Sequence, residues 1–184
     1  TATVSGSGDI EIANSGVLTV SKAEAANGDI LVENYGSLTT QTMRTLGSSA
    51  DNDIVLTTHA LGLSDSLSLG ELNAGAGSGN VTLNVAGTIV QTGSPLVADQ
   101  LNVIVGGGLA LATRANSLDL RTTAVGDVSI TDTNAAGLRL DDVQVLNGSL
   151  SVATSGSIVA ENVRSLSNLQ GNDITVTSTG GSIH

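Results

Sequence analysis

The sequence predicts an all-β fold, a right-handed parallel β-helix (β-solenoid) with about eight coils of roughly 20–27 residues. Three observations indicate it. A short strand motif recurs about every 23 residues along the whole chain. The apolar residues are almost all aliphatic, with no Phe or Trp and a single Tyr in 184 residues, which suits a narrow, regular interior better than a globular core. The 23 Gly residues, together with many Asn, Asp and Ser, supply frequent turns.

The motif is a turn pair followed by an apolar–x–apolar strand. Its first apolar residues are Ile10, Ile30, Ile54, Val81, Leu101, Val128, Leu150 and Ile174. Its second apolar residues are Ile12, Val32, Leu56, Leu83, Val103, Ile130, Val152 and Val176. We expect these to form two inward ladders, with the polar residues between them facing solvent. A β-sandwich is the alternative fold, but the fixed recurrence favours stacked coils over hairpins.

A second strand follows the first after about eight to ten residues, and a looser third strand completes each predicted coil. The second-strand residues are predicted to be Leu18, Leu38, Ile89, Leu109, Leu138, Ile158 and Ile183, with Leu61 or Leu63 in the third coil. Three segments lengthen the third side: residues 43–51, 64–78 and 114–125. We interpret them as insertions, which often form the functional face of a solenoid.

Charge and composition narrow the possible partners. We interpret the chain as one solenoid domain, residues 1–184, and expect it to be a segment of a longer repeat protein. Its net charge is −11, from six basic and 17 acidic residues, which argues against binding nucleic acid or an anionic membrane. No run of about 18 apolar residues is present, so no membrane insertion is expected. The absence of Cys and the presence of only two His exclude a zinc site of the Cys/His kind.

The repeats resemble those of filamentous-haemagglutinin-like large bacterial exoproteins and adhesins. The resemblance is carried by strand starts such as Gly8-Asp9-Ile10 and Gly148-Ser149-Leu150, and by the Thr-rich stretch 173–183. It covers nearly the whole chain and implies a right-handed β-helix, a secreted or cell-surface location and a role in adhesion. The export-guiding amino-terminal domain of that family is not recognisable here, and no binding residues are carried over.

One column of carboxylates is a candidate metal site. Asp9, Asp29 and Asp53 precede the first strand of three successive coils, so stacking would place like charges about 5 Å apart. Each carboxylate could cap its own turn by accepting backbone N–H groups. Alternatively, Ca²⁺ could bridge neighbouring carboxylates and turn carbonyls. No other cofactor is expected.

Leu31 and Val55 are a candidate partner-binding pair. Both occupy outward positions in adjacent coils, where the other coils carry polar residues. An insertion such as residues 43–51 could cover them. Otherwise they form an exposed apolar strip for a partner.

No residue set predicts catalysis. His59 and Asp65 lack a nucleophile-elbow sequence, and His59 is interpreted as a solvated turn residue. Asp141 and Asp142 are adjacent, so a regular strand would point them to opposite faces and prevent a glycosidase pair. The Thr residues do not predict an ice-binding array, because Thr39, Thr57, Thr82 and Thr175 are expected to occupy different places within their coils.

The function expected from the sequence is a structural or adhesive shaft of a secreted or cell-surface bacterial protein, which could form a filament. The alternative is a carbohydrate- or protein-binding module that uses the insertion side. A β-helical polysaccharide-active enzyme is a less favoured reading. The expected partners are other copies of the chain, meeting end to end or side by side, or a protein or glycan of a host or cell surface.

Overall fold

The computed structural model describes residues 1–47, 52–61, 65–75, 79–167 and 169–184. These residues form 17 strands and no helix, and all the strand pairs are parallel, as in Ile10 with Ile30 and Leu150 with Ile174. None of the described residues belongs to a helix that could cross a membrane. The strands stack into a β-solenoid of about eight turns, which confirms the predicted all-β parallel stack.

Each turn of the stack has three sides. Side 1 is formed by β2 (Ile10–Ser15), β4 (Ile30–Tyr35), β6 (Ile54–His59), β8 (Val81–Val85), β16 (Val163–Ser165) and the last parts of β10 (Leu96–Val105), β11 (Leu109–Thr122) and β13 (Leu138–Val145). Side 2 is formed by β9 (Thr88–Gln91), β12 (Val128–Asp132), β14 (Leu150–Thr154), β17 (Ile174–Ser178) and the first parts of β3 (Leu18–Asn27), β5 (Leu38–Thr45), β7 (Ser66–Asn73) and β11. Side 3 is formed by β1 (Ala2–Ser7), β15 (Ile158–Ala160) and the remaining parts of β3, β5, β7, β10, β11 and β13.

The predicted inward residues are buried, except near the ends of the stack. Thirteen of the two predicted ladders' members belong to the hydrophobic core: Ile10, Ile30, Ile54, Val81, Leu101, Val128, Leu150, Val32, Leu56, Leu83, Val103, Ile130 and Val152. Ile12 and Val176 are partly buried against that core. Ile174 is 43% exposed because it lies in the last coil and is covered by a neighbouring coil on one side alone.

The register of the predicted first ladder is correct as far as Leu101 and wrong beyond it. Leu101 stacks on Leu118, whereas Val128 stacks on Leu109 and therefore lies on side 2 with Leu150 and Ile174. The cause is segment 114–125, which was predicted to be an insertion. It supplies the side 1 strand of the sixth coil, and its Leu118 and Leu120 are buried in the core.

The second strand of the third coil was also misplaced. Leu67, fully buried, pairs with Leu38 on one side and with Ile89 on the other. Leu61 is instead 63% exposed, and Leu63 lies outside the described residues. The described part of segment 64–78, residues 65–75, is therefore not an insertion, because it contains β7. Residues 64 and 76–78 lie outside the described residues.

Two further predictions were wrong. Leu138, Ile158 and Ile183 were predicted for the second strand, but Leu138 pairs with Ile158 and Ile158 with Ile183, away from the side 2 strands β12, β14 and β17. Met43 begins the predicted insertion 43–51, yet it is fully buried and pairs with Ala23 and Leu72. Residues 48–51 of that segment lie outside the described residues. The described residues of the predicted insertion side thus belong mostly to core strands.

A buried carboxylate closes the corner between sides 2 and 3 in the sixth coil. Asp132 is 2% exposed. Its Oδ2 accepts hydrogen bonds from Thr113 Oγ1 at 2.8 Å and from Ala115 N at 2.9 Å. Its Oδ1 accepts from Asn134 N at 2.8 Å and from Thr154 Oγ1 at 3.5 Å. A buried charge is tolerated here because several donors in three coils surround it.

Candidate functional site

The predicted aspartate column is present, and each carboxylate bonds to the coil that follows it. Asp9 Oδ1 accepts a hydrogen bond from Asp29 N at 2.9 Å, and Asp29 Oδ1 accepts one from Asp53 N at 2.8 Å. Asp53 Oδ1 accepts one from Asn80 N at 2.8 Å. The predicted capping of each aspartate's own turn is therefore wrong. A coil spacing of about 4.8 Å places the next coil's amide within reach of the side chain.

The same hydrogen bond between a side-chain oxygen and the next coil's backbone amide occurs at a second corner, on another side of the solenoid. Asp127 Oδ1 accepts a hydrogen bond from Ser149 N at 2.8 Å, and Ser149 Oγ accepts one from Asp173 N at 3.4 Å. These residues precede side 2 strands, whereas Asp9 and Asp29 precede side 1 strands. The shared capping explains why one sequence motif occurs on two sides.

Close backbone stacking explains the glycines at two of these corners, Gly28 before Asp29 and Gly148 before Ser149. Gly28 has φ of +149°, and a Cβ atom there would lie 2.3 Å from the carbonyl oxygen of Gly8. Gly148 has φ of +147° and would meet the oxygen of Gly126 at 2.2 Å. A larger residue at either position would meet the backbone of the neighbouring coil, so these two corners require glycine.

The Ca²⁺ hypothesis for Asp9, Asp29 and Asp53 stays a prediction. Among the described residues, no three His, Cys, Asp or Glu side chains are grouped so that they could hold a metal ion. One oxygen of each carboxylate in the column already accepts a hydrogen bond from a backbone amide of the next coil. A cation would have to be held by carboxylate oxygens that do not accept these backbone hydrogen bonds.

The substitution Asp29→Asn distinguishes two hypotheses for the column: carboxylates that only accept backbone hydrogen bonds, and carboxylates that also bind Ca²⁺. The Asn Oδ1 can still accept from Asp53 N, as Asn80 does for Gln100 N at 3.3 Å, and like-charge repulsion falls. In a chelator we therefore expect an unfolding free energy equal to or above that of the native chain, measured by urea denaturation. If Ca²⁺ binds the column, millimolar Ca²⁺ will stabilise the native chain and will stabilise Asp29→Asn much less. Equal curves with and without Ca²⁺ would exclude the cation.

Leu31 and Val55 lie side by side on the outer face of side 1, as the sequence predicted. They pair across β4 and β6. Leu31 is 38% exposed and Val55 is partly buried. The described part of the chain forms a shallow groove over them, also lined by Glu11, Ala13, Glu33, Thr57 and His59.

The polar wall of this groove, formed by Glu33, Tyr35 and His59, was not predicted from the sequence. His59 was interpreted as a turn residue, but it ends strand β6. Its ring stacks on Tyr35 with centroids 4.3 Å apart and an interplanar angle of 19°. Its Nε2 lies 2.8 Å from Glu33 Oε1. The missed signal was the identical offset of Tyr35 and His59 within their coils, which places them in register.

The adjacent aspartates also differ from expectation. Strand β13 pairs with β11 through a bulge, so Leu118 opposes Leu140 while Asp119 opposes Asp142. Asp141 is the extra residue, and both aspartates therefore lie on the outer surface between the buried Leu140 and Val143. The predicted opposite orientation is wrong because the bulge breaks the alternation.

Both aspartates are held by neighbouring side chains. Asp141 pairs with Arg139 at 2.6 Å. Asp142 Oδ1 accepts a hydrogen bond from Asn162 Nδ2 at 2.7 Å. The same oxygen lies 3.9 Å from Arg164 Nη2. These contacts stabilise the seventh and eighth coils.

Glu24 is the centre of a cationic cluster on side 3. It forms ion pairs with Lys22 and with Arg44, whose Nη2 lies 2.9 Å from Glu24 Oε1. The hydrogen bond from Lys22 lowers the pKa of Glu24 despite its burial, and the charge of Arg44 lowers that pKa further. The cluster links two neighbouring coils, and both Lys22 and Arg44 are paired with Glu24.

Side 2 carries an uncharged outer column. Across the stack the outward residues are Thr19, Thr39, Ser68, Val90, Ala110, Ser129, Ser151 and Thr175. Thr39 and Thr175 therefore share a column, contrary to expectation, whereas Thr57 and Thr82 lie on side 1. The Thr residues are interrupted by Ser, Val and Ala, so the column is not the regular array that ice binding requires.

Comparison with family models, with curated proteins and with solved structures finds no match for this chain. The fold is therefore established by the strand pairing itself. The likeness to filamentous-haemagglutinin repeats rests on the motifs of the sequence.

Proposed function

We propose that this chain is a non-catalytic shaft segment of a secreted or cell-surface bacterial protein, with adhesion as its role. One observation carries the structural part of the proposal. Both ends of the stack present a strand edge without a partner among the described residues, because β2 pairs with β4 alone and β17 pairs with β14 alone. An open parallel edge accepts a further strand of the same geometry.

The last coil illustrates what such an edge offers. Leu150 N donates to Asp173 O at 2.8 Å. Since alternate residues of a parallel strand bond to the same neighbour, the backbone N–H and C=O groups of Ile174 and Val176 face away from the stack. Ile174 also leaves 43% of its surface exposed. A further coil would pair those groups and bury that side chain.

Such a coil can come from a longer parent chain or from a second copy, and the stack would then extend by about 4.8 Å for each coil added. The 184-residue segment contributes about 38 Å of shaft. The motif resemblance and the lack of Cys support the extracellular location. The surface is acidic, since the net charge is −11, which favours solubility of a long rod.

The alternative, a carbohydrate- or protein-binding module on the insertion side, has less support. The described residues 65–75 and segment 114–125 contain core strands, so those residues offer little loop surface.

Electron microscopy and sedimentation of the purified chain test the shaft. We expect rods whose length increases with concentration in steps of about 38 Å. Val176→Pro removes an outward N–H from the terminal edge, and it should leave single rods. Val90→Lys, a matched exposed valine on the lateral face, should stack as the native chain does.

Two results would contradict end-to-end stacking. One is a native chain that stays as single rods at every concentration. The other is association that survives Val176→Pro and is lost in Val90→Lys, which would assign it to the lateral face. Circular dichroism confirms that each variant folds.

A further inference from the structure

We propose that the side 1 groove of the first three coils binds an extended segment of a partner protein that carries an apolar residue and, two positions on, a basic residue. The site deepens the adhesive part of the proposed function and rests on it, but it does not depend on stacking. It is built by neighbouring residues of β2, β4 and β6 that face outward in register.

The floor of the groove is apolar. Leu31 and Val55 are adjacent across the coils, and Leu31 is 38% exposed. Their counterparts in the flanking coils, Glu11 and Thr82, are polar. An apolar side chain laid across this pair would bury surface that no described residue covers, and burial of apolar surface is favourable.

The walls of the groove are acidic. Glu11 and Glu33 line it, and neither Lys nor Arg is among its lining residues. The side chain of Glu33 is 53% exposed, so a ligand can reach it. The net charge of −11 adds a long-range attraction for cations. The site therefore complements a basic side chain and disfavours an acidic one.

Glu33 is held in place before any ligand arrives. His59 bonds its carboxylate at 2.8 Å, and the Tyr35 ring fixes the His59 ring by stacking at 4.3 Å. A carboxylate with a fixed orientation loses less conformational entropy on binding than a free one. Tyr35 and His59 act as positioning residues for Glu33.

The spacing selects an extended polypeptide. Leu31 and Glu33 lie on the same face of β4, about 6.6 Å apart. Side chains at positions i and i+2 of an extended peptide have the same separation. A peptide lying along β4 can therefore place an apolar side chain over Leu31 and Val55 while its basic side chain reaches Glu33.

A peptide titration followed by two-dimensional NMR of the native chain tests the site. The probe is acetyl-Gly-Val-Ser-Arg-Gly-amide, and the matched control peptide has Glu in place of Arg. We expect the probe to shift the amide signals of Leu31, Glu33 and Val55, with an affinity that falls as salt rises. The Glu peptide should leave those signals unchanged.

Variants assign the effect to the groove. Glu33→Gln should weaken the probe about fivefold, and Leu31→Ser should weaken it as well. Ile104→Ser, at an exposed side 1 position of the fifth coil, should bind as the native chain does. Val176→Pro, which blocks stacking, should also bind normally, so loss of stacking and loss of binding are separable.

Three results would overturn the site. Equal binding of the Arg and Glu peptides would remove the role of charge. Equal binding by Glu33→Gln, Leu31→Ser and the native chain would place the peptide elsewhere. Shifts of the groove amides by a neutral oligosaccharide such as cellohexaose, with none from the probe, would assign the surface to a glycan.

Discussion

Leu67→Ala is expected to lower the free energy of unfolding by about 3 kcal/mol. Leu67 is fully buried and lies between Leu38 and Ile89 in the side 2 ladder. Its truncation removes apolar contacts with both neighbouring coils and leaves a cavity that rigid backbone ladders cannot close. Urea denaturation followed by circular dichroism measures the change.

Leu61→Ala is the matched control for that prediction. The substitution is chemically identical, but Leu61 is 63% exposed, so a change within about 0.5 kcal/mol is expected. The pair decides which leucine completes the third coil. A larger loss for Leu61→Ala than for Leu67→Ala would refute the register of β7 between β5 and β9.

Asp132→Ala is expected to destabilise the chain by about 3 kcal/mol. The carboxylate accepts hydrogen bonds from two backbone amides, those of Ala115 and Asn134, and from the hydroxyl of Thr113. Removing it leaves these donors without their acceptor at a corner where Asp132 is 2% exposed. The same urea denaturation gives the loss.

Asp99→Ala serves as the control for Asp132. Asp99 accepts one exposed hydrogen bond, from Asn116 Nδ2 at 2.7 Å, so its removal should cost about 0.5 kcal/mol. If the two alanine variants were equally stable, the Asp132 carboxylate would not be what satisfies the corner amides. Asp132→Asn should fall between them, because one of its two terminal atoms becomes a donor facing donors.

The candidate site was half predictable. Leu31 and Val55 could be found because they break an alternation that every other coil obeys at that position. Glu33, Tyr35 and His59 were missed because none breaks a pattern by itself. Their relationship appears when β4 and β6 are placed in register, and that places rings 24 residues apart in the chain in contact.

The aspartate column was predicted as a stack, but the direction of its hydrogen bonds was not. A sequence pattern gives which residues share a corner. It does not say whether a side chain bonds within its own coil or to the next one, since both amides lie within reach of a short carboxylate. The structure shows that Asp9 and Asp29 cap the following coil.

The sequence by itself determined the solenoid, because alternating aliphatic residues at a fixed recurrence bury well in stacked parallel strands and in few other folds. Tertiary structure alone decided the side to which each strand belongs. Gly-Asp corners precede side 1 strands in the first two coils, as Asp29 shows, but a Gly-Asp corner precedes a side 2 strand in the sixth coil, as Asp127 shows. The local chemistry of the two corners is the same. The choice depends on backbone pairing between coils, which placed Val128 on Leu109 and gave Leu101 the partner Leu118.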